Sequence, residues 1–178
     1  MFKLLRRRAS AMSRAIVFSI ASLLPFVTPT VAQETPSGHA QALLEITDVS
    51  SSGREVAITL DLAALDAMES EEIVTSTIWT NGINRFEGVP LTTLINGLRL
   101  NGNTIRVTAI NDYAVEFPLN EPLNEDAIIA FRMNGEPMSR RGKGPLWLLY
   151  PFDQSAKFRT ETIYARSVWQ LNRIDVIE

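Results

Sequence analysis

Apolar and polar residues alternate with a period of two over several short stretches, the signature of strands with one wet face. Over 55–62, Val56, Ile58, Leu60 and Leu62 alternate with Ala57, Thr59 and Asp61. The stretch 43–49 precedes it across Ser50-Ser51-Ser52-Gly53, so the two read as strands joined by a turn. An alanine- and leucine-rich stretch, 62–68, predicts one or two helical turns, and the β-branched run Ile73, Val74, Thr75, Thr77 and Ile78 predicts a strand over 71–80. Pro90 suits the first position of a helix, where its missing N–H costs nothing. Leu91, Leu94, Ile95 and Leu98 then follow at helical spacing, with Asn96-Gly97 as the stop. Strands are predicted over 104–110, where Ile105, Val107 and Ala109 share a face, and over 114–119 beyond an Asn111-Asp112 turn. Another covers 128–133, and Asn134-Gly135 after it is a hairpin signal. The nearly wholly apolar 146–150 belongs in the core, 164–171 reads as a short helix and 173–177 as a last strand. Short strands with one good helix do not make alternating βαβ units. The predicted class is α+β, mostly β with mixed sheets and short helices.

Composition narrows the chemistry. The chain has 178 residues, no cysteine and one histidine, His39. Disulfide scaffolds, zinc ribbons, iron–sulfur clusters and cysteine nucleophiles all need a thiolate and are excluded. A histidine-based triad has only His39 to draw on, and that residue sits in a polar segment and reads as solvated.

The N-terminal segment carries a different kind of signal. Lys3, Arg6, Arg7, Arg8 and Arg14 form a basic head, an apolar run covers 15–24, and a Pro25 to Pro29 break leads to Thr30-Val31-Ala32. That order predicts a secretory signal over 1–32 with cleavage after Ala32. The apolar run falls short of the roughly 20 residues that span a bilayer. The expected organisation is therefore a signal over 1–32, a flexible lead-in over 33–42 and one domain over 43–178, located in the periplasm with no membrane span after cleavage. Removing the leader takes five cations and no carboxylate, leaving twelve Lys and Arg against twenty Asp and Glu. So acidic a domain argues against a nucleic-acid partner.

Motifs with a self-contained mechanism are missing: no glycine-rich dinucleotide loop, no phosphate loop and no HExxH. Glu69, Glu71 and Glu72, and again Glu121, Glu125 and Asp126, read as solvated carboxylates in exposed turns. The basic loop Ser139-Arg140-Arg141-Gly142-Lys143-Gly144-Pro145 is richer, since Gly142 and Gly144 free the backbone to converge on an anion beside three cations. Trp79, Asn81, Arg85 and Phe86 surround a turn containing Gly82, where an aromatic plate, an amide and a guanidinium could line a pocket. Trp147 and Trp169 read as core residues.

Four segments carry a family resemblance. Phe86-Glu-Gly-Val-Pro-Leu-Thr-Thr-Leu-Ile95 resembles the F-x-G-V-P-L-x-x-L-[LI] segment of the sulfite-oxidase-type molybdopterin oxidoreductase domain. Ala109-Ile-Asn-Asp-Tyr-Ala-Val-Glu-Phe-Pro118 is similar to that family's A-x-D-G-Y-x-x-x-[IF]-P, with Asn111-Asp112-Tyr113 replacing D-G-Y. Ala130-Phe-Arg-Met-Asn-Gly-Glu-Pro137 resembles A-x-x-x-[ND]-G-E-P, and Gly144-Pro-Leu-Trp-Leu-Leu-Tyr-Pro151 resembles G-P-L-R-L-[VL]-x-P. Family enzymes hold the metal through one cysteine thiolate on the strand before the F-x-G-V-P-L segment. Here that strand is Glu71-Glu-Ile-Val-Thr-Ser-Thr-Ile-Trp-Thr80, which offers hydroxyls instead, and Trp147 stands where the family's G-P-L-R has arginine. A threonine alcohol is a hard, protonated group and does not replace a soft thiolate.

The resemblance thus implies the scaffold without its metal-anchoring side chain. The expectation is a non-catalytic exported relative, with no catalytic or metal-ligating residue and no cofactor, that binds a small anionic ligand or an envelope protein partner through the former cofactor face. Trp79, Asn81, Arg85, Asp112, Tyr113, Arg140, Arg141 and Lys143 would line that face. Two alternatives stand beside it. One is an oxidoreductase acting on an oxyanion or sulfoxide that holds molybdopterin by its own dithiolene, with the phosphate on the Arg140-Arg141-Lys143 loop. The other is a structural adaptor for an envelope sensor or redox complex.

Overall fold

The computed structural model of the protein describes residues 41–49 and 55–177. The predicted signal (1–32), most of the lead-in, His39 and the 50–53 turn lie outside the described residues. The first sheet begins with β1 (Leu44–Val49) and β2 (Glu55–Leu60), an antiparallel pair. On its other side β1 runs parallel to the last strand, β10 (Leu171–Ile177), which pairs antiparallel with β5 (Thr104–Ala109), and β5 with β6 (Ala114–Pro118). The second sheet is antiparallel throughout: β3 (Glu71–Ser76), β4 (Ile83–Pro90), β7 (Ile128–Met133) and β8 (Glu136–Pro137) in that order, with β9 (Trp147–Leu149) also on β7. Among the described residues three short α-helices, α1 (Leu62–Asp66), α2 (Leu91–Gly97) and α3 (Glu161–Arg166), together with three short 3-10 segments, complete the α+β architecture expected from the pattern. Among the described residues no helix is long and apolar enough to cross a membrane.

One apolar cluster draws on both sheets. Ile46 of β1, Ile105 and Val107 of β5 and Ile174 and Val176 of β10 join Phe86 and Val89 of β4, Ile128 to Phe131 of β7 and the whole of 146–150. The period-two face of β5 is therefore the buried one, while the uninterrupted apolar runs of β7 and β9 are strands covered on both faces. Asn134 and Gly135 both take positive φ, 56° and 85°, as a two-residue hairpin of the predicted kind requires.

Local expectations fail where long-range pairing takes over. The strand predicted over 71–80 ends at Ser76, because 77–82 folds into a turn in which Thr77 and Thr80 share a 2.8 Å hydroxyl hydrogen bond. β4 had no expectation at all; its outward Ile83 is 71% exposed, so its sequence lacks the alternation that marks a strand. Pro90 closes β4 in extended geometry, and the helix starts one residue later at Leu91. The helix predicted over 164–171 instead covers Glu161–Arg166, capped by Thr160 Oγ1 accepting from the Ile163 N–H at 3.3 Å. Beyond it Trp169 bridges to Trp147 and Gln170 turns left-handed, so the last strand begins at Leu171, two residues before the predicted start.

Three carboxylates tie loops to this frame. Glu121 takes a bidentate bond from the nearly buried Arg166 (2.5 and 3.2 Å), Asp66 pairs with Arg132, and Asp153 accepts from the N–H and hydroxyl of Ser76 (2.6 and 2.8 Å). The arginine bonds hold Glu121 and Asp66 below the usual carboxylate range, and the Ser76 N–H does the same for Asp153. A carboxyl depressed in the folded state adds stability above its unfolded pKa, about 4, and loses it as pH falls through the folded value. The melting temperature followed by circular dichroism is therefore expected to hold from pH 7 to 5 and to fall below about pH 4. Glu121→Gln should lower the neutral-pH plateau and shrink that acid loss.

Candidate functional site

Three segments converge on one aromatic cavity of about 260 Å³. Trp79 comes from the turn after β3. Ala109, Asn111 and Tyr113 come from the end of β5 and the turn into β6, and Tyr164, Ala165, Ser167, Val168 and Trp169 come from α3 and the stretch that follows it. Asp112, at φ 63°, makes the sharp turn that sends Asn111 and Tyr113 to the same side. The Tyr113 hydroxyl donates to the Ala165 carbonyl at 3.0 Å, stitching that turn to α3. Ser167 is buried, its hydroxyl donating to Ile163 O at 2.7 Å and its carbonyl accepting from Trp147 Nε1 at 3.2 Å.

The walls are rigid because the rings pack on one another. Trp79 meets Trp147 and Tyr164 edge-on, each with ring centroids 5.7 Å apart, and lies 6.0 Å from Phe152. Trp147, fully buried, meets Phe86 in turn at 5.5 Å. Among the described residues no carboxylate lines the cavity. Asn111 Nδ2, the Tyr164 hydroxyl and the indole N–H groups of Trp79 and Trp169 have no hydrogen-bond partner among the described residues.

The basic loop reaches this site through one residue. Gln170 N donates to Lys143 O at 2.9 Å and Gln170 Nε2 to Arg140 O at 2.5 Å, pinning the loop beside Trp169. Lys143, at φ 78°, then carries its ammonium over the Trp169 ring, 4.1 Å from the centroid. Of the eight residues proposed from sequence, Trp79 and Tyr113 line the cavity, Asp112 makes the turn between its lining residues Asn111 and Tyr113, and Lys143 packs on the ring of lining residue Trp169 without lining the cavity itself. The other four stand elsewhere. Asn81 is exposed in the β3–β4 turn, where its carbonyl accepts from Asn84 Nδ2, and Arg85 forms an exposed ion pair with Glu72 at 2.9 Å. Arg140 lines a separate depression with Leu44, Ile110 and Asn172, and Arg141 is exposed without an ion-pair partner among the described residues. Sequence reasoning missed Tyr164, Ser167 and Val168, and it placed Trp169 in the core. Nothing in the spacing of 161–169 marks a cavity wall, because the cavity exists only between segments distant in sequence.

The molybdenum group that the sequence resemblance implies needs a soft donor on the strand before β4. The chain has no cysteine, and the hydroxyls of the strand that would carry one are already engaged. Thr75, fully buried, donates to Ser76 O and accepts from Asp153 N at 3.0 Å; Ser76 Oγ donates to Asp153, and Thr77 Oγ1 accepts from the Trp79 N–H at 3.1 Å. Among the described residues no three His, Cys, Asp or Glu side chains gather as a ligand group. These residues do not fit a metal held by a protein thiolate.

Comparison with solved structures places the fold. The chain is similar to the sulfane dehydrogenase SoxCD from Paracoccus pantotrophus, with a TM-score of 0.50 and 15% sequence identity over 78% of this chain and 38% of that one. It thus spans well under half of the protein it matches. No curated protein sequence matches it. The model of the oxidoreductase molybdopterin binding domain matches residues 39–159, more than half of the chain, and the chain belongs to that family.

Proposed function

We propose that this protein is a non-catalytic member of its family, exported to the periplasm, that uses the face where relatives hold their cofactor to bind a small organic anion with an apolar or aromatic body. The observation that carries this reading is the composition of the cavity: aromatic walls packed edge to face, N–H and O–H donors uncommitted among the described residues, and no carboxylate among the described lining. The Lys143 ammonium is held on the ring of the wall residue Trp169, though it is not itself part of the lining. Aromatic faces take up the body of such a ligand, while donors without acceptors favour a group that brings its own lone pairs. At about 260 Å³ the cavity lies near the lower end of ligand sites, roughly 300–1,000 Å³, which favours a compact molecule. Binding without a molybdopterin or another cofactor is part of the same proposal, since the chain has no cysteine and the hydroxyls of Thr75, Ser76 and Thr77 are committed within it.

Benzoate and benzylammonium, alike in body and opposite in charge, distinguish this reading from simple aromatic stickiness. Titrated into the protein and followed by tryptophan fluorescence, benzoate is expected to saturate and benzylammonium is not. Lys143→Gln should weaken benzoate about fivefold, as for the loss of roughly 1 kcal/mol at a partly exposed charge. Equal binding of the two probes, or stoichiometric pterin and molybdenum in protein taken natively from its own cells, would overturn the proposal.

A further inference from the structure

Among the described residues β3 ends its sheet, pairing with β4 on one side and with no strand on the other. The direction of its free groups follows from Ser76, whose N–H leaves the sheet to reach Asp153 Oδ2 at 2.6 Å. Alternate residues of an antiparallel strand point their N–H and C=O the same way, so those of Val74 and Glu72 also face outward. Asp153 closes the edge at Ser76, and the backbone groups of Glu72 and Val74 have no partner among the described residues.

A groove of about 270 Å³ runs along this edge, between Glu71 to Val74 on one side and Glu125, Asp126, Pro151 and Gln154 on the other. Glu72 and Asp126 are paired with Arg85 and Lys157, whereas Glu71 and Glu125 have no ion-pair partner among the described residues. On the outer face beside the edge, Val74 and Ile83 are diagonal neighbours across the β3–β4 pair, 55% and 71% exposed, and Ile78 in the next turn is 65% exposed. An open edge with unpaired amides and apolar side chains is a template for another strand.

We propose that the free edge of β3 docks an extended, basic segment of a protein partner by strand addition. The backbone of the partner would bond to Glu72 and Val74, its Lys or Arg side chains would meet Glu71 and Glu125, and its apolar side chains would cover Val74 and Ile83. Charge selects this occupant over a second copy of the chain. A second β3 carries Glu71 and Glu72 and no cation, so it offers nothing to pair with the free carboxylates of Glu71 and Glu125 and adds to the negative charge along the seam. This inference is independent of the aromatic cavity.

The probes are two ten-residue peptides, one alternating Lys with Val and one alternating Glu with Val, added to the full protein under amide hydrogen exchange read by NMR. The Lys–Val peptide is expected to slow exchange at Glu72 and Val74 at least tenfold and to leave Lys143→Gln equally responsive. The Glu–Val peptide should have no effect, and the pair Glu71→Lys with Glu125→Lys should exchange the two preferences. Val74→Pro, which removes an outward N–H while leaving the β4 ladder intact, should abolish protection. The proposal is overturned if neither peptide protects these amides, if both protect equally, or if they become protected with rising protein concentration alone, which would give the edge to a second copy.

Discussion

Trp147→Ala is expected to remove about 3–5 kcal/mol of folding stability, the range for truncating a fully buried aromatic residue. Its indole has no exposed surface, packs edge-on against both Trp79 and Phe86, and donates to Ser167 O at 3.2 Å. Truncation therefore opens a void beside Trp79 and Phe86 and leaves a buried carbonyl without its donor. Urea unfolding measures the loss directly. Trp147→Phe separates the two terms, because it keeps most of the ring volume and forfeits only the hydrogen bond, at about 1 kcal/mol. Trp147→Arg is the more telling substitution, since it restores the arginine of the G-P-L-R pattern that this chain resembles. Here it would bury a guanidinium among Phe86, Trp79 and Leu146 to Leu149, and it is expected to destabilise at least as much as alanine. A variant with Arg at 147 as stable as the parent would mean that this core position accommodates the arginine of the family pattern, contrary to this packing.

Gly88→Ala is expected to cost about 1–3 kcal/mol or more, because no side chain near it is free to yield. A methyl group there would overlap the carbonyl oxygen of Ile129 and lie 2.6 Å from the Cα of Ala130, both backbone atoms of the neighbouring β7. Gly88 sits at the irregularity where the β4–β7 register shifts between Glu87 and Gly88, so the two backbones approach closely at that point. Gly97→Ala is the matched control: nothing lies within 4 Å of the added methyl, and the residue ends α2 without positive φ. That change should be neutral or stabilising by up to about 1 kcal/mol. Equal effects at the two positions, measured by denaturant unfolding, would show that the β4–β7 contact is looser than the geometry says.

The Gly88 result bears on why the family resemblance was readable at all. The F-x-G-V-P-L segment places Phe86 in the core, Gly88 against β7 and Pro90 at the strand-to-helix junction, so three backbone and packing constraints fall within five residues. Asn134-Gly135 was legible for a similar reason, because a two-residue turn dictates φ locally. β4 itself was not legible. Its outward residues Ile83, Arg85 and Glu87 owe their conformation to hydrogen bonds with β3 and β7, which leave no alternating pattern behind. The same holds for 167–170, where apolar residues at helical spacing were drawn out of a helix by the Trp169 bridge to Trp147.

The candidate site divides along the same line. Trp79 stood out as an aromatic residue beside a turn, Tyr113 through the segment that resembles the family's A-x-D-G-Y, and the Lys143 loop as a concentration of charge in an acidic domain. Which of them meet was decided by Gln170, a residue with no chemical signature, whose backbone and amide hold the basic loop against Trp169 while Arg140 and Arg141 turn elsewhere. Periodicity, turn chemistry and the missing thiol are properties of neighbouring residues or of composition, and the amino-acid order alone settled the α+β class and the loss of the soft metal ligand. The cavity, the open edge of β3 and the burial of Trp147 depend on contacts between segments tens of residues apart. Those contacts are set by how two sheets close over one core, and only the folded chain reveals them.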